Sequence, residues 1–250
     1  MKIKIAVVQF DVKHYEPETN IKKAEKFVKR AKKRNADIIV FPEGFVTGSI
    51  AKRTEFIDSK KEYRKIFQEM AKKYSIDIVP GTIIEKDKFG VHNTAYYIDS
   101  NGKIKSRYLK INLFPHERDI VTPGTEIAIA HTKFGKIGLV VCWDLLFPEI
   151  FRRLGKSNCN VIICPSHWCY RYAGIGLKYD KDSERKLINS ICTSRAFENE
   201  VIMVYCNCAG ENIINGKLSP LIGHSQIAVP FKGRIKRLEH NKEQMFIQEI

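Results

Sequence analysis

Apolar residues recur along this chain in two spacings, and each spacing predicts a different kind of element. Repeats at helical spacing predict amphipathic helices over residues 20–34, 60–74, near 147–155 and near 182–199. Short apolar runs predict strands over 3–10, 36–44, 76–85, 160–166, 201–207 and 245–250. Longer runs broken by turn residues predict hairpins over 94–110, 126–142 and 221–239, the first with Asn101-Gly102 at its turn. This alternation predicts a mixed α/β fold whose sheets are covered by helices.

Length and composition narrow the class of protein. A chain of 250 residues can bury a large core, and no linker or internal repeat divides it, so we expect a single domain over residues 1–250. The first residues, MKIKIAVVQF, are too short and too strand-like for a signal peptide, and no apolar run is long enough to cross a membrane. We therefore expect a cytoplasmic protein without a membrane partner. Seven cysteines, an odd number without a CxxC pair, predict neither a disulfide framework nor a zinc site.

The net charge of +15 raises the question of nucleic-acid binding. The lysines and arginines of residues 20–35 and 60–75 lie on the polar faces of predicted amphipathic helices, and no exposed aromatic residues are interleaved with them. A groove for nucleic acid would need its basic residues gathered on one surface. The charge therefore indicates a solvated, lysine-rich surface, and we expect no specific nucleic-acid partner.

Three reactive side chains directly follow predicted strands. Glu43 ends a strand in FPEG, Lys110 ends another in YLKINLF, and Cys142 ends a third in VVCWD. Each is ordinary by itself, as a turn residue, a surface lysine or a small buried thiol. Ligands of open α/β sheets, however, bind outside the carboxyl ends of strands, so the three groups are expected to converge. We also expect the start of the following helix to favour the thiolate of Cys142.

A carboxylate, an ammonium and a thiol at one sheet edge predict a definite chemistry. Glu43 can take the proton of Cys142, whose sulfur then attacks a carbonyl or nitrile carbon. Lys110 and the backbone N–H of Trp143, the residue after the nucleophile, can stabilise the oxyanion. Glu43 would return a proton to the departing amine and later activate water against the thioester. This sequence of steps transfers an acyl group from nitrogen to water, with no metal and no cofactor.

Other functional classes remain open from these residues alone. A Cys-His hydrolase would pair Cys142 with His167 or His116 and would depend on that histidine. A binding or regulatory module would hydrolyse nothing and would carry no unusually reactive thiol. Nucleic-acid binding would appear as retention that falls steeply with salt.

Six stretches of the sequence, in order, resemble the signatures of the nitrilase superfamily, the carbon–nitrogen hydrolases. They are FPEG, YLKINLF, HERDIVTPG, GLVVCWDLLFPE, SRAFENEVIMVYCN and GHSQIAVPFKG. The resemblance runs from about residue 3 to the C-terminus. It implies a four-layer α-β-β-α sandwich and a homodimer or a higher homo-oligomer.

The resemblance also implies roles for individual residues. It makes Glu43 the general base, Lys110 the group that supports the tetrahedral intermediate, and Cys142 the nucleophile. Glu117, in HER, matches a second active-site glutamate that positions the substrate or holds Lys110. The loop over residues 165–180 would border the pocket, with His167 and Trp168 as candidate substrate contacts.

Two further features concern residues near these motifs. The family usually carries histidine two residues after the lysine, where this chain has Asn112, so a protonatable group is absent there. Arg195 and Glu198 lie three residues apart in a predicted helix and are expected to form a structural ion pair.

The motif CWD followed by FPE resembles the amidase and carbamoyl-hydrolase branches of the superfamily. It predicts a small carboxamide or N-carbamoyl (ureido) compound as the substrate, with water as the second reactant. The alternative is a nitrilase that converts a nitrile to an acid and ammonia.

Overall fold

The computed structural model describes residues 2–48, 53–214 and 217–250. Its α-helices are α1 (Pro17–Lys33), α2 (Glu62–Tyr74), α3 (Pro148–Lys156) and α4 (Ser183–Glu198). The strands of the first half are β1 (Lys4–Asp11), β2 (Ile38–Val40), β3 (Asp77–Val79), β4 (Thr82–Asp87), β5 (Gly90–Ile98), β6 (Ile104–Leu109) and β7 (Ala128–Thr132). Those of the second half are β8 (Gly135–Leu139), β9 (Val161–Ser166), β10 (Ile202–Ala209), β11 (Glu211–Ile214), β12 (Lys217–Pro220), β13 (Gln226–Val229), β14 (Gly233–Arg237) and β15 (Gln244–Glu249).

The strands form two sheets that join at one edge. Strands β1 to β6 and β15 make the first sheet, in which β1, β2 and β3 run parallel. Strands β7 to β10, β13 and β14 make the second, in which β8, β9 and β10 run parallel. The sheets meet where β1 pairs in parallel with β10, Phe10 opposite Cys208 and Asp11 opposite Ala209. Strands β11 and β12 form a separate hairpin.

Alternation along β1 explains how the layers stack. Ile5 and Val7 belong to the core shared with the second sheet, whereas Ala6 and Val8 belong to the core beneath α1 and α2. A strand with both faces buried is apolar throughout, because neither row of side chains reaches water. On the other side, α3 and α4 cover the second sheet, and Gly138 of β8 lets the side chain of Leu154 approach closely. The order of layers is helix, sheet, sheet, helix.

Most of the predicted elements are confirmed. The four helices, the three hairpins and the Asn101-Gly102 turn lie where the sequence placed them. The single strand predicted over 76–85 is wrong, because Pro80-Gly81 divides it into β3 and β4. Proline offers no N–H to a neighbouring strand, and Gly81 has a positive φ of 60°. The hairpin of β11 and β12 was not predicted.

No helix in the described ranges is long and apolar enough to span a bilayer.

Arg195 and Glu198 form the expected ion pair within α4, at 2.7 Å.

Gly81 is the residue at which this fold tolerates a side chain least. A Cβ there would lie 1.8 Å from the carbonyl oxygen of Pro42, the residue before Glu43. We therefore expect Gly81→Ala to lower the free energy of unfolding by about 3 kcal/mol or more, measured by chemical denaturation. Gly44→Ala is the matched control, since Gly44 has a φ of 61° but its Cβ would meet only ordinary contacts. It should lose about 1 kcal/mol. Equal losses in the two variants would contradict the steric argument.

Candidate active site

Cys142 lies at a sharp turn between β8 and a 3-10 helix (Cys142–Leu146). Its φ of 46° falls in the left-handed region, which costs free energy for a residue with a Cβ. A backbone held in such a conformation needs support from its surroundings. The turn places the thiol beyond the end of the strand, where Cys142 lines a cavity of about 70 Å³.

Asp144 supplies that support. Its Oδ2 accepts the backbone N–H of Val141 at 2.9 Å and the hydroxyl of Tyr108 at 2.7 Å. Its Oδ1 accepts both the backbone N–H and the side-chain amide of Asn112, at 2.9 and 3.0 Å. Burial raises the pKa of Asp144, and the Tyr108 hydroxyl opposes this rise. The carboxyl group therefore fastens the cysteine turn of the second sheet to the chain that follows β6 in the first.

Lys110 follows β6 and is fully buried between two carboxyl groups. Its Nζ lies 2.9 Å from Oε1 of Glu43 and 2.6 Å from Oε2 of Glu117. Burial opposes the charge, but the Glu117 and Glu43 carboxylates outweigh it and raise the pKa of Lys110. An ammonium has three N–H donors, and these two contacts use two of them. The third has no acceptor among the residues that the structure describes.

A residue that sequence reasoning missed closes this network. Asn93, in β5, donates from Nδ2 to Oε1 of Glu43 and to Oε1 of Glu117, both at 2.9 Å. The signal in the sequence is weak. Asn93 is one of three consecutive polar residues, His92 to Thr94, in a strand that is otherwise apolar. A buried polar residue needs a hydrogen-bond partner, so this run could have been predicted to face a polar site instead of the apolar core.

The expected thiolate of Cys142 is not found. Burial raises the pKa of its thiol, the nearby Glu43 carboxylate raises it further, and Lys110 only partly opposes them. The start of a short 3-10 helix does not overcome the desolvation of a buried anion. These surroundings favour the neutral thiol of Cys142 over the thiolate.

The cavity brings together the groups predicted from the three strand ends. Glu43, Lys110, Glu117 and Cys142 all line it, together with Asn93 and His116. The remainder of its described lining consists largely of apolar and aromatic side chains, among them Ile84, Phe114, Ile120, Val121 and Tyr172.

Of the two candidate substrate contacts, His167 lines the cavity and Trp168 does not. His167 lines the cavity, and burial lowers its pKa to about 4. Its Nδ1 lies 3.3 Å from the sulfur of Cys208, so this ring nitrogen contacts a cysteine other than Cys142. Trp168 is fully buried and is not part of the cavity lining in the described chain, since its indole N–H donates to Glu184. The structure does not support Trp168 as a substrate contact.

Aromatic packing fixes the side chain of Trp143, the residue after Cys142. Trp143 stacks on Trp168 at 5.3 Å between ring centroids and meets the edge of Phe114 at 4.8 Å. Trp143 is the second residue of its 3-10 helix, where the backbone N–H has no partner inside the helix. Arg195 donates twice to the carbonyl of Leu145 and anchors the other end of the helix. These contacts fix the side chain of Trp143, which is not among the described residues that line the cavity.

Comparisons with known proteins agree with this geometry. A family model described as carbon-nitrogen hydrolase matches residues 4–250. The chain is 31% identical to the 2-oxoglutaramate amidase of Bacillus subtilis, over 94% of this chain and 85% of that protein. It is 30% identical to a nitrilase of Pyrococcus abyssi, over 99% of this chain and 89% of that one.

A solved structure gives the same result for the fold. Nit3 of Saccharomyces cerevisiae, a member of the nitrilase superfamily, superposes with a TM-score of 0.84 at 25% identity, covering 99% of this chain and 89% of that chain. The α-β-β-α sandwich expected from the sequence motifs is confirmed. The chain belongs to the carbon–nitrogen hydrolase family, and it is an enzyme that hydrolyses C–N bonds other than peptide bonds.

Proposed function

We propose that this enzyme hydrolyses a small carboxamide or N-carbamoyl compound through a thioester on Cys142. The observation that carries the proposal is the single cavity in which a protonated thiol lies with a buried lysine bound to two carboxylates. A nucleophile, a base and oxyanion donors are the groups that acyl transfer requires. No step needs a metal or a cofactor.

In the first half-reaction, the substrate carbonyl oxygen binds between Nζ of Lys110 and the N–H of Trp143. As the C–S bond forms, Glu43 takes the thiol proton and the π electrons of the carbonyl move to oxygen. Lys110 and Trp143 stabilise the resulting oxyanion. The C–N bond then breaks, Glu43 delivers the proton to nitrogen, and the amine leaves a thioester on Cys142.

In the second half-reaction, water attacks the thioester carbonyl. Glu43 takes a proton from the water and then returns it to the sulfur as the carboxylic acid departs. Glu117 reacts with nothing in this scheme. It accepts hydrogen bonds from the ammonium of Lys110 and from the backbone N–H of Phe114, at 2.6 and 2.8 Å, and so holds the lysine in place.

The size and lining of the cavity support a small substrate. A volume of about 70 Å³ corresponds to about two to three water molecules at about 30 Å³ each, which suits a short acyl group and its amide. Its apolar side, which includes Ile84, Ile120 and Val121, suits the hydrocarbon part. Similarity to a 2-oxoglutaramate amidase also supports an amide as the reacting group.

A nitrile is the second candidate, favoured by the similarity to the Pyrococcus abyssi nitrilase. A nitrile would first give a thioimidate on Cys142 and expel nothing in that step, so the early proton return from Glu43 would serve no leaving group. A linear nitrile also cannot place its nitrogen where an sp2 oxygen meets Lys110 and Trp143. The amide fits the arranged donors better.

We further propose that residues 1–250 act as one domain, because both sheets supply residues to the site. We also propose that the enzyme works in the cytoplasm and that it is a homodimer or a higher homo-oligomer. Large apolar side chains exposed in the segment before α4 and in β12 support assembly. Ile175, Tyr179 and Leu218 are 71%, 86% and 64% exposed. The seven unpaired cysteines suit a reducing compartment, and a small-molecule substrate and water remain the only other proposed partners.

Cys142→Ala should lower turnover by about 10⁴-fold or more, because no thioester can form, while the melting temperature changes little. Iodoacetamide should label Cys142 faster than the other cysteines, since the reagent can enter the cavity and meet the base. Ammonia release measures turnover, and peptide mass spectrometry of partly labelled protein measures the labelling rate of each cysteine. Cys192→Ala is the control, because that buried thiol lies in α4 and should affect stability alone. Faster labelling of Cys164 or Cys206 would count against the assignment.

Glu43→Gln should lower kcat by about 10³-fold, because the base acts in both half-reactions. Glu117→Gln should cost about 10²-fold in kcat/KM, through the misplaced lysine or weaker substrate binding. Steady-state kinetics on the best amide found in an ammonia-release screen measures the difference. Asp77→Asn serves as the control for loss of a buried carboxylate elsewhere, because Asp77 accepts from Tyr97 and Ser100 and does not line the cavity. A Glu43→Gln enzyme with near-normal turnover at saturating substrate would exclude the mechanism.

Amides should be preferred to nitriles of the same carbon skeleton. We expect kcat/KM for a carboxamide to exceed that for its matched nitrile by about tenfold or more, which corresponds to one misplaced oxyanion contact. Several short aliphatic pairs should be compared under one set of conditions. A consistently higher value for the nitriles would reverse the order of the two candidate functions.

A further inference from the structure

We propose that Asn93 is a positioning residue that determines which oxygen of Glu43 takes the proton of Cys142. The inference rests on the proposed function, because it assumes that Glu43 is the base. Asn93 is buried in β5 and lines the same cavity as Cys142.

The backbone and the side chain of Asn93 organise the same group of residues. Its carbonyl oxygen accepts the backbone N–H of Lys110 at 2.9 Å. Its amide nitrogen donates one hydrogen to Glu43 and the other to Glu117, both at 2.9 Å. Lys110 contacts the same two carboxyl groups from its ammonium. The four side chains thus form a closed ring of hydrogen bonds in which donors and acceptors alternate.

The orientation of the Asn93 amide follows from its neighbours. If the amide were reversed, its oxygen would face two carboxylate oxygens and no hydrogen bond would form. As oriented, Oδ1 is buried and has no hydrogen-bond partner in the described chain. A buried acceptor without a partner is unfavourable, and the amide keeps this orientation because its two N–H donors bind carboxylates.

The ring distinguishes the two oxygens of Glu43. Oε1 accepts from both Lys110 and Asn93, whereas no residue in the described ranges donates to Oε2. A lone pair that already accepts hydrogen bonds is a poorer site for a new proton, so Oε2 is the proton acceptor. In acylation, the proton of Cys142 moves to Oε2 while the C–S bond forms and the carbonyl π pair moves to oxygen. The same proton passes from Oε2 to nitrogen as the C–N bond breaks.

Asn93→Leu keeps nearly the same shape and removes both donors. Glu43 should then rotate between its two oxygens and lose its fixed distance from Glu117. We expect the rate of Cys142 alkylation by iodoacetamide to fall by about 10²-fold, and kcat on the best amide to fall by a similar factor with little change in KM. Intact-protein mass spectrometry gives the alkylation rate without reference to any substrate.

Gln9→Leu is the matched control. Gln9 is also a buried amide, and its nitrogen donates twice, to the carbonyls of His240 and Lys242, away from the cavity. It should lower the melting temperature and leave the alkylation rate unchanged. If Asn93→Leu does not fold, Asn93→Ser, which removes the amide without adding apolar surface, should show the same slow alkylation.

The outcomes separate this inference from the proposed function. A folded Asn93 variant that is alkylated at the wild-type rate would show that the amide is only structural and would overturn the inference. If the wild-type enzyme hydrolysed no amide in the screen, the proposed function would fail. A slower alkylation of Asn93→Leu would still support the positioning role. An equal fall in Gln9→Leu would also overturn it, because any buried amide would then have the same effect.

Discussion

The buried ammonium of Lys110 is the interaction on which the site depends. Removing an ammonium from water is unfavourable by several kcal/mol even after relaxation, unless partners of opposite charge surround it. Glu43 and Glu117 are those partners, and neither carboxylate would be stable so close to the other without the lysine between them. The three charges therefore require one another. Among the described residues, Lys110 is the most buried cation, and it lines the same cavity as Cys142.

The two-sheet architecture brings this ion network to the thiol of Cys142. Glu43 and Lys110 follow strands of the first sheet, while Cys142 follows β8 of the second. Neither sheet alone could place this carboxylate and this thiol in one cavity. The apolar residues shared by the two sheets hold the strand ends at a fixed separation, because a close-packed core deforms little. A change in the packing between the sheets would therefore alter the distance between Glu43 and Cys142.

The apolar pattern predicted a mixed α/β fold and three polar groups at strand ends, which the structure brings to one cavity, while the resemblance of the motifs implied the family and the four layers. What they could not predict depends on contacts between distant segments. Asn93 meets Glu43 across 50 positions of the chain, and no local pattern reveals that contact. The expected effect of the helix start on Cys142 was wrong in direction, because burial and the Glu43 carboxylate raise the pKa of the thiol. Trp168 stands next to a cavity residue in sequence, but its side chain packs into the core instead.

The departure at Asn112 has a physical explanation in the cysteine turn. Asp144 holds that turn through Val141, and its other oxygen accepts two hydrogen bonds from Asn112, one from the backbone and one from the side chain. The side chain at position 112 needs only an N–H donor that reaches Oδ1 of Asp144. The amide of Asn112 provides this donor and does not titrate. The carboxyl group of Asp144 then has a partner at residue 112 whose hydrogen bonds do not depend on a titrating side chain, and this partner helps to support the positive φ of Cys142. Nothing in this contact requires the residue at 112 to change its protonation.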